Sequence, residues 1–257
     1  MSDPSKDFTP IQDEYDFFAT HSTEAAADLD AYVERLRLFG LPAGPIRMLD
    51  FGCGPGSFTA RFLERVGWRG DRLDLALVEP SSAYRRRAVE RLAALTAGPV
   101  RAWGELPAES VQGLDLILSN HVLYYVPELE VALGRIFRTL GANGLFLTAI
   151  GGRDNALVDL WFRGFPLIGR PVPYQTAEVV EAALSRLGRP FERREVRYDV
   201  GFPDTEENRL KILRFLFGEH LAILPRAEIL AAFDRYAVAG RIEMHTGNRQ
   251  YYVRGGP

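Results

Sequence analysis

The chain has 257 residues, a formal net charge of −3, 47% apolar residues and 25% charged ones, a balance that supplies ample core for a globular chain. That charge gives no general attraction to nucleic acid or an anionic membrane, and no apolar run is long enough to cross a bilayer. The single Cys53 excludes an intrachain disulfide, and the polar, acidic N-terminal stretch lacks the basic-then-apolar order of a secretion signal, so the expected address is cytoplasmic.

The first expected elements are two helices, Tyr15 to Thr20 and Ala25 to Phe39, the second with an apolar face of Leu29, Tyr32, Val33, Leu36 and Phe39. They make an N-terminal helical cover over residues 1–42, ahead of a main domain over 43–257. Met48-Leu49-Asp50-Phe51-Gly52-Cys53-Gly54-Pro55-Gly56-Ser57-Phe58 then reads as a buried strand ending at an acid, a glycine bend and a helix opening at Ser57. Gly52, Gly54 and Gly56 let the backbone approach a ligand and take dihedrals that a Cβ forbids. Asp50 opposes a strongly anionic guest, and Pro55 removes an N–H that an anion nest would use. No Gly-Lys-Ser/Thr follows, and Ser57 stands where a dinucleotide fingerprint has Gly or Ala. A ligand with adenosine and a positive or zwitterionic tail fits this bend, with Cys53 as a small turn filler.

Leu73 to Glu79 is the second strand, and a carboxylate at its tip can accept hydrogen bonds from two vicinal ribose hydroxyls, with Pro80 beside it. Arg85-Arg86-Arg87 reads as a solvated helix face. A third strand, Val100 to Trp103, leads into Gly104-Glu105-Leu106-Pro107. Leu114 to Ser119 is the fourth, running into Asn120-His121-Val122-Leu123-Tyr124-Tyr125. Ligands on open α/β sheets bind beyond the carboxyl ends of the strands, so this turn should face the reacting groups. A helix from Leu129 to Leu140, a break at Gly141 to Gly144 and a fifth strand from Leu145 to Ile150 follow.

Gly151 to Tyr174, rich in Gly, Pro and aromatics, is too apolar for a linker and reads as a lid or binding loop. A helix from Thr176 to Leu187, a sixth strand from Glu192 to Val200, helices at Glu206 to Phe217 and Arg226 to Ala237, and a seventh strand near Arg249 to Val253 complete the chain. The inserts at about 151–175 and 204–239 should form a helical cap, with Trp161, Phe162 and Tyr174, joined by Tyr124 and Tyr125, lining a substrate pocket. His21, His121, His220 and His245 have no metal-ligand spacing, so no metal is expected. The alternation of elements predicts an α/β fold, a doubly wound, mostly parallel seven-stranded sheet with helices on both faces.

From Ile46 to Ile150 the ordered pieces resemble the class I S-adenosylmethionine-dependent methyltransferases of small-molecule type, whose first motif is an acid followed by Gly-x-Gly-x-Gly. The resemblance implies a Rossmann-like domain and S-adenosyl-L-methionine as cofactor, held by Tyr15, Asp50, Gly52, Gly54, Gly56, Glu79, Pro80, Glu105, Leu106, Asn120 and His121. It places an early tyrosine, here Tyr15, near the methionine carboxylate. It also places an acid after the third strand at the adenine amino group, where this chain has Glu105 at a shorter spacing. The Asn/Asp-Pro-Pro-aromatic motif of nucleobase amino-methyltransferases is absent, and the turn is more similar to that of enzymes acting on small molecules.

The expected activity is methyl transfer to nitrogen, oxygen or carbon of a small molecule, without nucleic-acid or membrane partners; no sequence feature sets an oligomeric state. Such a displacement needs chiefly alignment of the acceptor, and His121 is the one candidate catalytic base at the reaction face. A nicotinamide-dependent oxidoreductase is the alternative raised by the glycine bend and Glu79, opposed by the missing third fingerprint glycine and the absence of Tyr-x-x-x-Lys after the fourth strand. A non-catalytic cofactor-binding protein is the other alternative.

Overall fold

The structure, a computed structural model, describes residues 9–40, 44–107 and 111–256. The expected boundary between residues 42 and 43 and the opening residues 1–8 lie outside the described residues. In chain order the elements are α1 (Gln12–Thr20), α2 (Glu24–Phe39), β1 (Ile46–Phe51), α3 (Ser57–Val66), β2 (Leu73–Val78), α4 (Ser82–Leu92), β3 (Arg101–Trp103), β4 (Leu114–Asn120), α5 (Leu129–Thr139) and β5 (Leu140–Ile150). Then come α6 (Ala156–Leu167), α7 (Ala177–Arg186), β6 (Phe191–Pro203), α8 (Glu206–Phe217), α9 (Arg226–Ala231), β7 (Ala237–Val238) and β8 (Arg241–Arg254).

Strands β1 to β5 are parallel, and β8 runs antiparallel between β5 and β6, giving the order β3-β2-β1-β4-β5-β8-β6. The apolar runs that predicted β1, β2 and β4 are buried on both faces, as parallel strands require. Alternate residues serve opposite layers. Met48, Leu116, Leu118, Leu147 and Tyr252 pack with Leu29, Tyr32 and Leu36 of α2, Phe62 of α3 and Leu92 of α4. Leu49, Ile117, Phe146, Ile150 and Tyr251 pack with Leu133 of α5, Trp161 of α6, Val180 of α7 and Phe215 of α8.

Three readings are corrected. The sheet has eight strands rather than seven, because Ala237–Val238 pairs with Ile242 and Arg241 across a tight turn at Ala239-Gly240, both at positive φ. That pairing also ends the expected Arg226–Ala237 helix at Ala231. Gly151 to Tyr174 is not a plain loop: it carries α6, started by Asn155, whose side chain accepts the N–H groups of Leu157 and Val158. The third correction shapes the site. β8 begins at Arg241, well before the expected Arg249, and pairs with β6 along its whole length, whereas β5 pairs only with Arg249 to Arg254. Residues 196–203 and 241–248 therefore project beyond the end of β5 as a two-stranded arm. The segment before α2 closes the outer edge of that arm: Thr23 N–H donates to the Asp199 carbonyl and Gly201 N–H to the His21 carbonyl, both at 2.9 Å.

Candidate cofactor and acceptor site

The bend after β1 is held by its own backbone and by β2. Gly52 N–H donates to the Val78 carbonyl at 2.7 Å and Gly56 N–H to that of Cys53 at 3.0 Å. Gly52, Gly54 and Gly56 all have positive φ, at 81°, 54° and 76°. Their surroundings differ. A Cβ on Gly52 would collide with the Val122 side chain, one on Gly56 would press on Ala88 at 3.1–3.2 Å, and one on Gly54 would meet no heavy atom within 4 Å. Gly52 and Gly56 are thus packing positions, while Gly54 presents bare backbone outward.

Two carboxylates flank the bend. Glu79, buried at the tip of β2, accepts the Gly54 N–H at 3.0 Å and the Ser81 N–H at 2.9 Å, one on each oxygen. Arg85 donates to the Glu79 and Pro80 carbonyls, so the first arginine of the basic triplet locks this corner. Asp50 is buried beneath the bend and accepts the Thr59 hydroxyl of α3. Burial pushes its carboxyl up to about 7; the Thr59 hydrogen bond opposes this and the neighbouring Glu79 adds to it. Beyond β3, Leu106 packs on the core and Glu105 lies exposed at the rim.

The turn after β4 forms the opposite wall. His121 N–H continues the ladder to the Ala149 carbonyl at 3.0 Å, and then the backbone breaks into the left-handed region, with φ 57°. A residue with a Cβ occupies that region only when its surroundings hold it there. Here α2 does so. His121 Nε2 lies 2.7 Å from Asp28 Oδ2, 3.6 Å from Glu24 Oε2 and 3.3 Å from Asn248 Nδ2. Asp28, with no exposed surface, also accepts from Gln250 of β8 at 3.0 Å, and Glu24 accepts from Asn248 at 3.0 Å. One residue earlier, the Asn120 side chain accepts the Tyr32 hydroxyl of α2 at 3.0 Å. Burial alone would lower the His121 imidazole, but the Glu24 and Asp28 carboxylates outweigh it and lift it to about 9. At neutral pH the ring therefore carries its proton, the opposite of what a general base needs.

The aromatic residues expected in the substrate pocket converge beyond this turn. Tyr124 meets Trp161 at 5.4 Å, Tyr125 meets Tyr174 at 5.3 Å and Trp161 meets Tyr174 at 4.6 Å between ring centroids. The Tyr124 hydroxyl accepts the Gly151 N–H, and Trp161 donates to the Leu216 carbonyl of α8 at 3.0 Å. Phe162, one step around α6, lies beneath the Arg153 guanidinium at 4.5 Å. Tyr15, 40% exposed, sits 5.9 Å from Phe215 on the α1–α8 side. The same helix reaches the donor end, where Gln12 accepts the Tyr84 hydroxyl of α4 at 2.7 Å.

Sequence reading overlooked Glu24, Asp28, Asn248 and Gln250. One signal was available: Glu24, Asp28 and Tyr32 follow at intervals of four, so they line one stripe of α2, and an acid on the apolar face of a helix needs a partner.

A family profile described as a methyltransferase domain matches residues 22–188, more than half of the chain. The chain belongs to the class I S-adenosylmethionine-dependent methyltransferases. Trans-aconitate 2-methyltransferase of Mycolicibacterium gilvum (strain PYR-GCK) is 35% identical over 147 residues, 54% of this chain and 53% of that protein. The biotin biosynthesis bifunctional protein BioCD of Bordetella avium (strain 197N) is 32% identical over 140 residues, 54% of this chain and 28% of its own. The chain thus spans about half or less of the curated relatives it matches. The YcgJ protein from Bacillus subtilis has the same fold, with a TM-score of 0.59 at 14% identity over 90% of this chain and 98% of that one.

The cofactor of this family is S-adenosylmethionine, and the methyltransferase's own residues suit it. A buried carboxylate with no cationic partner among the described residues, Asp50, lies under the bend, Gly54 offers backbone without a Cβ, and Glu79 keeps further lone pairs for ribose hydroxyls. Among the described residues no group of three His, Cys, Asp or Glu side chains is placed to hold a metal, and no helix is long and apolar enough to cross a membrane.

Proposed function

We propose that this chain transfers a methyl group from S-adenosylmethionine to a small-molecule acceptor lodged between the turn after β4 and the cap helices α6 and α8. The observation that carries this reading is the position of that turn. Val122 rests on Gly52 at the donor bend, and two residues later Tyr124 meets Trp161. One short segment thus touches both compartments.

When bound, S-adenosylmethionine supplies an electrophilic methyl on a sulfonium. In this reading Asp50 lies toward its ammonium end, Glu79 takes the ribose, Tyr15 closes over the tail, and Asn120 and His121 border the methyl. The aromatic wall excludes water and orients the acceptor, and such alignment is worth on the order of 7–11 kcal/mol of barrier. His121 already holds its proton, so the acceptor atom arrives with a free lone pair, as a neutral amine, an enolate-like carbon or an anionic oxygen.

The charges around the aromatic wall favour an acceptor of low negative charge. Glu24 and Asp28 face it, and His121 is committed to them. The relatives named for trans-aconitate act on a tricarboxylate, for which Arg153 over Phe162 would supply a cation on the far side of the wall from Glu24 and Asp28.

The test is transfer of isotope-labelled methyl from the donor to a panel of amines, phenols, enolisable ketones and carboxylic acids including trans-aconitate, read by mass spectrometry. Methylation of a neutral or aminated acceptor is expected. Absence of any methylated product, despite binding of S-adenosylhomocysteine, would overturn the proposed activity, and preference for trans-aconitate would overturn the charge argument.

A further inference from the structure

We infer that Asp28 is a positioning residue for the reaction face, acting through His121, and that the α2 stripe Glu24, Asp28 and Tyr32 sets the geometry of Asn120, the last residue of β4, and His121, the first beyond it. This rests on the methyltransferase reading for its kinetic part only. Three observations support it. Asp28 has no exposed surface and, among the described residues, no cationic partner other than His121, while Gln250 fixes its second oxygen. His121 occupies a left-handed backbone conformation in which its ring meets α2 while its N–H still bonds to β5. Tyr32, one helical turn after Asp28, holds Asn120. Consecutive residues of the turn are thereby gripped by side chains four apart on one helix, which defines the turn more tightly than either contact alone.

The groups facing the His121 ring are Glu24 and Asp28 from α2, the neutral amide of Asn248 from β8, and Tyr124 from its own turn at 6.1 Å; Tyr198 of β6 reaches it only through Glu24. With two carboxylates around one imidazole, Asp28 keeps Nε2 as a proton donor. Replacing that carboxylate by an amide reverses the polarity of the contact, because an asparagine can turn an N–H toward Nε2 and leave the ring neutral.

The experiment uses the intact protein, wild type and Asp28→Asn, with Asp28→Glu and Glu24→Gln as companions. Nitrogen-15 chemical shifts of the His121 side chain, followed from pH 5.5 to 9.5, should show a ring protonated through pH 8 in the wild type and titrating near or below 7 in Asp28→Asn. With an accepted substrate, Asp28→Asn should lower kcat by about 10–100-fold with donor affinity changed less than threefold. Its pH–rate profile should gain a bend between pH 6 and 8 that the wild type lacks, and Asp28→Glu should recover at least tenfold of the loss. Glu24→Gln, which removes the second carboxylate beside the ring, should shift it in the same direction. If His121 titrates identically in wild type and Asp28→Asn, the inference is overturned. It is likewise overturned if kcat and donor affinity fall together with an unchanged profile, since that marks a purely structural role. Should Asp28→Asn fail to fold, an unshifted His121 titration in Glu24→Gln would overturn it. Because the titration needs no turnover, failure of the methyl-transfer reading would leave this outcome readable.

Discussion

The bend after β1 and the aromatic cluster proposed to line the acceptor site, here called the chamber, lie on either side of the turn after β4, yet different kinds of sequence build them. Residues 50–59 and 78–85 make almost the whole bend, with backbone hydrogen bonds, three glycines at positive φ and two acids at strand tips. The proposed acceptor side collects Tyr15, Glu24, Tyr124, Trp161, Tyr174, Tyr198 and Asn248, drawn from seven elements and connections across the chain. Backbone-built sites tolerate little change at their glycines and a good deal elsewhere, whereas a side-chain chamber can be re-lined one residue at a time. A single cofactor bend can thus serve many acceptors, and here the acceptor must be read from the chamber.

The largest effect should come from breaking the bend without breaking the fold. Gly54→Val places a side chain where no protein atom lies within 4 Å, so the cost to stability is chiefly that of a left-handed residue, about 1–2 kcal/mol. Its affinity for S-adenosylhomocysteine should fall at least a hundredfold by calorimetry. Gly52→Val should unfold far more readily, because its side chain would have to displace Val122. Tyr174→Ala belongs to the other compartment: the acceptor KM should rise about tenfold while donor affinity stays within twofold. If Gly54→Val binds as well as wild type, the bend is not the donor site.

The same division explains what could be read in advance. Asp50, Gly52 to Gly56 and Glu79 were legible because short-range rules governed them: apolar runs mark buried parallel strands, and alternate glycines with a flanking acid mark a close backbone approach. The Glu206–Phe217 helix forms over the expected residues, and the structure adds its cap, the Thr205 hydroxyl accepting the Asn208 N–H. The projecting arm was not. Arg241 to Asn248 reads Arg-Ile-Glu-Met-His-Thr-Gly-Asn, where only Ile242 and Met244 mark an inward face before Thr-Gly-Asn breaks the alternation, and pairing with β6 carries the strand through that break. Without the arm, Asn248 had no place beside His121, and a histidine after a strand looked like a base. Its charge state depends on Asp28, 93 residues away in sequence, and no local pattern carries that information.

A second, smaller effect tests the chamber's electrostatics through stability. His121 rises from an ordinary value of 6.5 to about 9 in the folded protein. Between those values the native state holds a proton that the unfolded chain has lost, so stability must fall as pH rises across this window. Unfolding in urea at pH 6.5 and at pH 9.5 should differ by about 3 kcal/mol in favour of the lower pH, and His121→Gln should remove most of the difference. Equal stability at both pH values would mean that the imidazole is not held by Glu24 and Asp28.

The smallest effect concerns Asp50 and sharpens the contrast, because this buried carboxylate is flanked by a hydroxyl and a second acid rather than by an imidazolium. Its carboxyl, raised from 3.8 to about 7 by burial, is about half protonated at neutral pH. A ligand ammonium brought near it favours the carboxylate, so binding must expel a proton wherever the free protein holds one. Affinity for S-adenosylhomocysteine should therefore climb about tenfold from pH 6 to pH 8 and level off above, following the ionised fraction of a group titrating near 7. Calorimetry at pH 6 in buffers of different ionisation enthalpy should register release of close to one proton. Asp50→Asn should bind more weakly and lose both the slope and the proton. His121 cannot mimic this signature: its proton is retained to about pH 9, so a slope confined to pH 6 to 8 that survives His121→Gln is assigned to the bend.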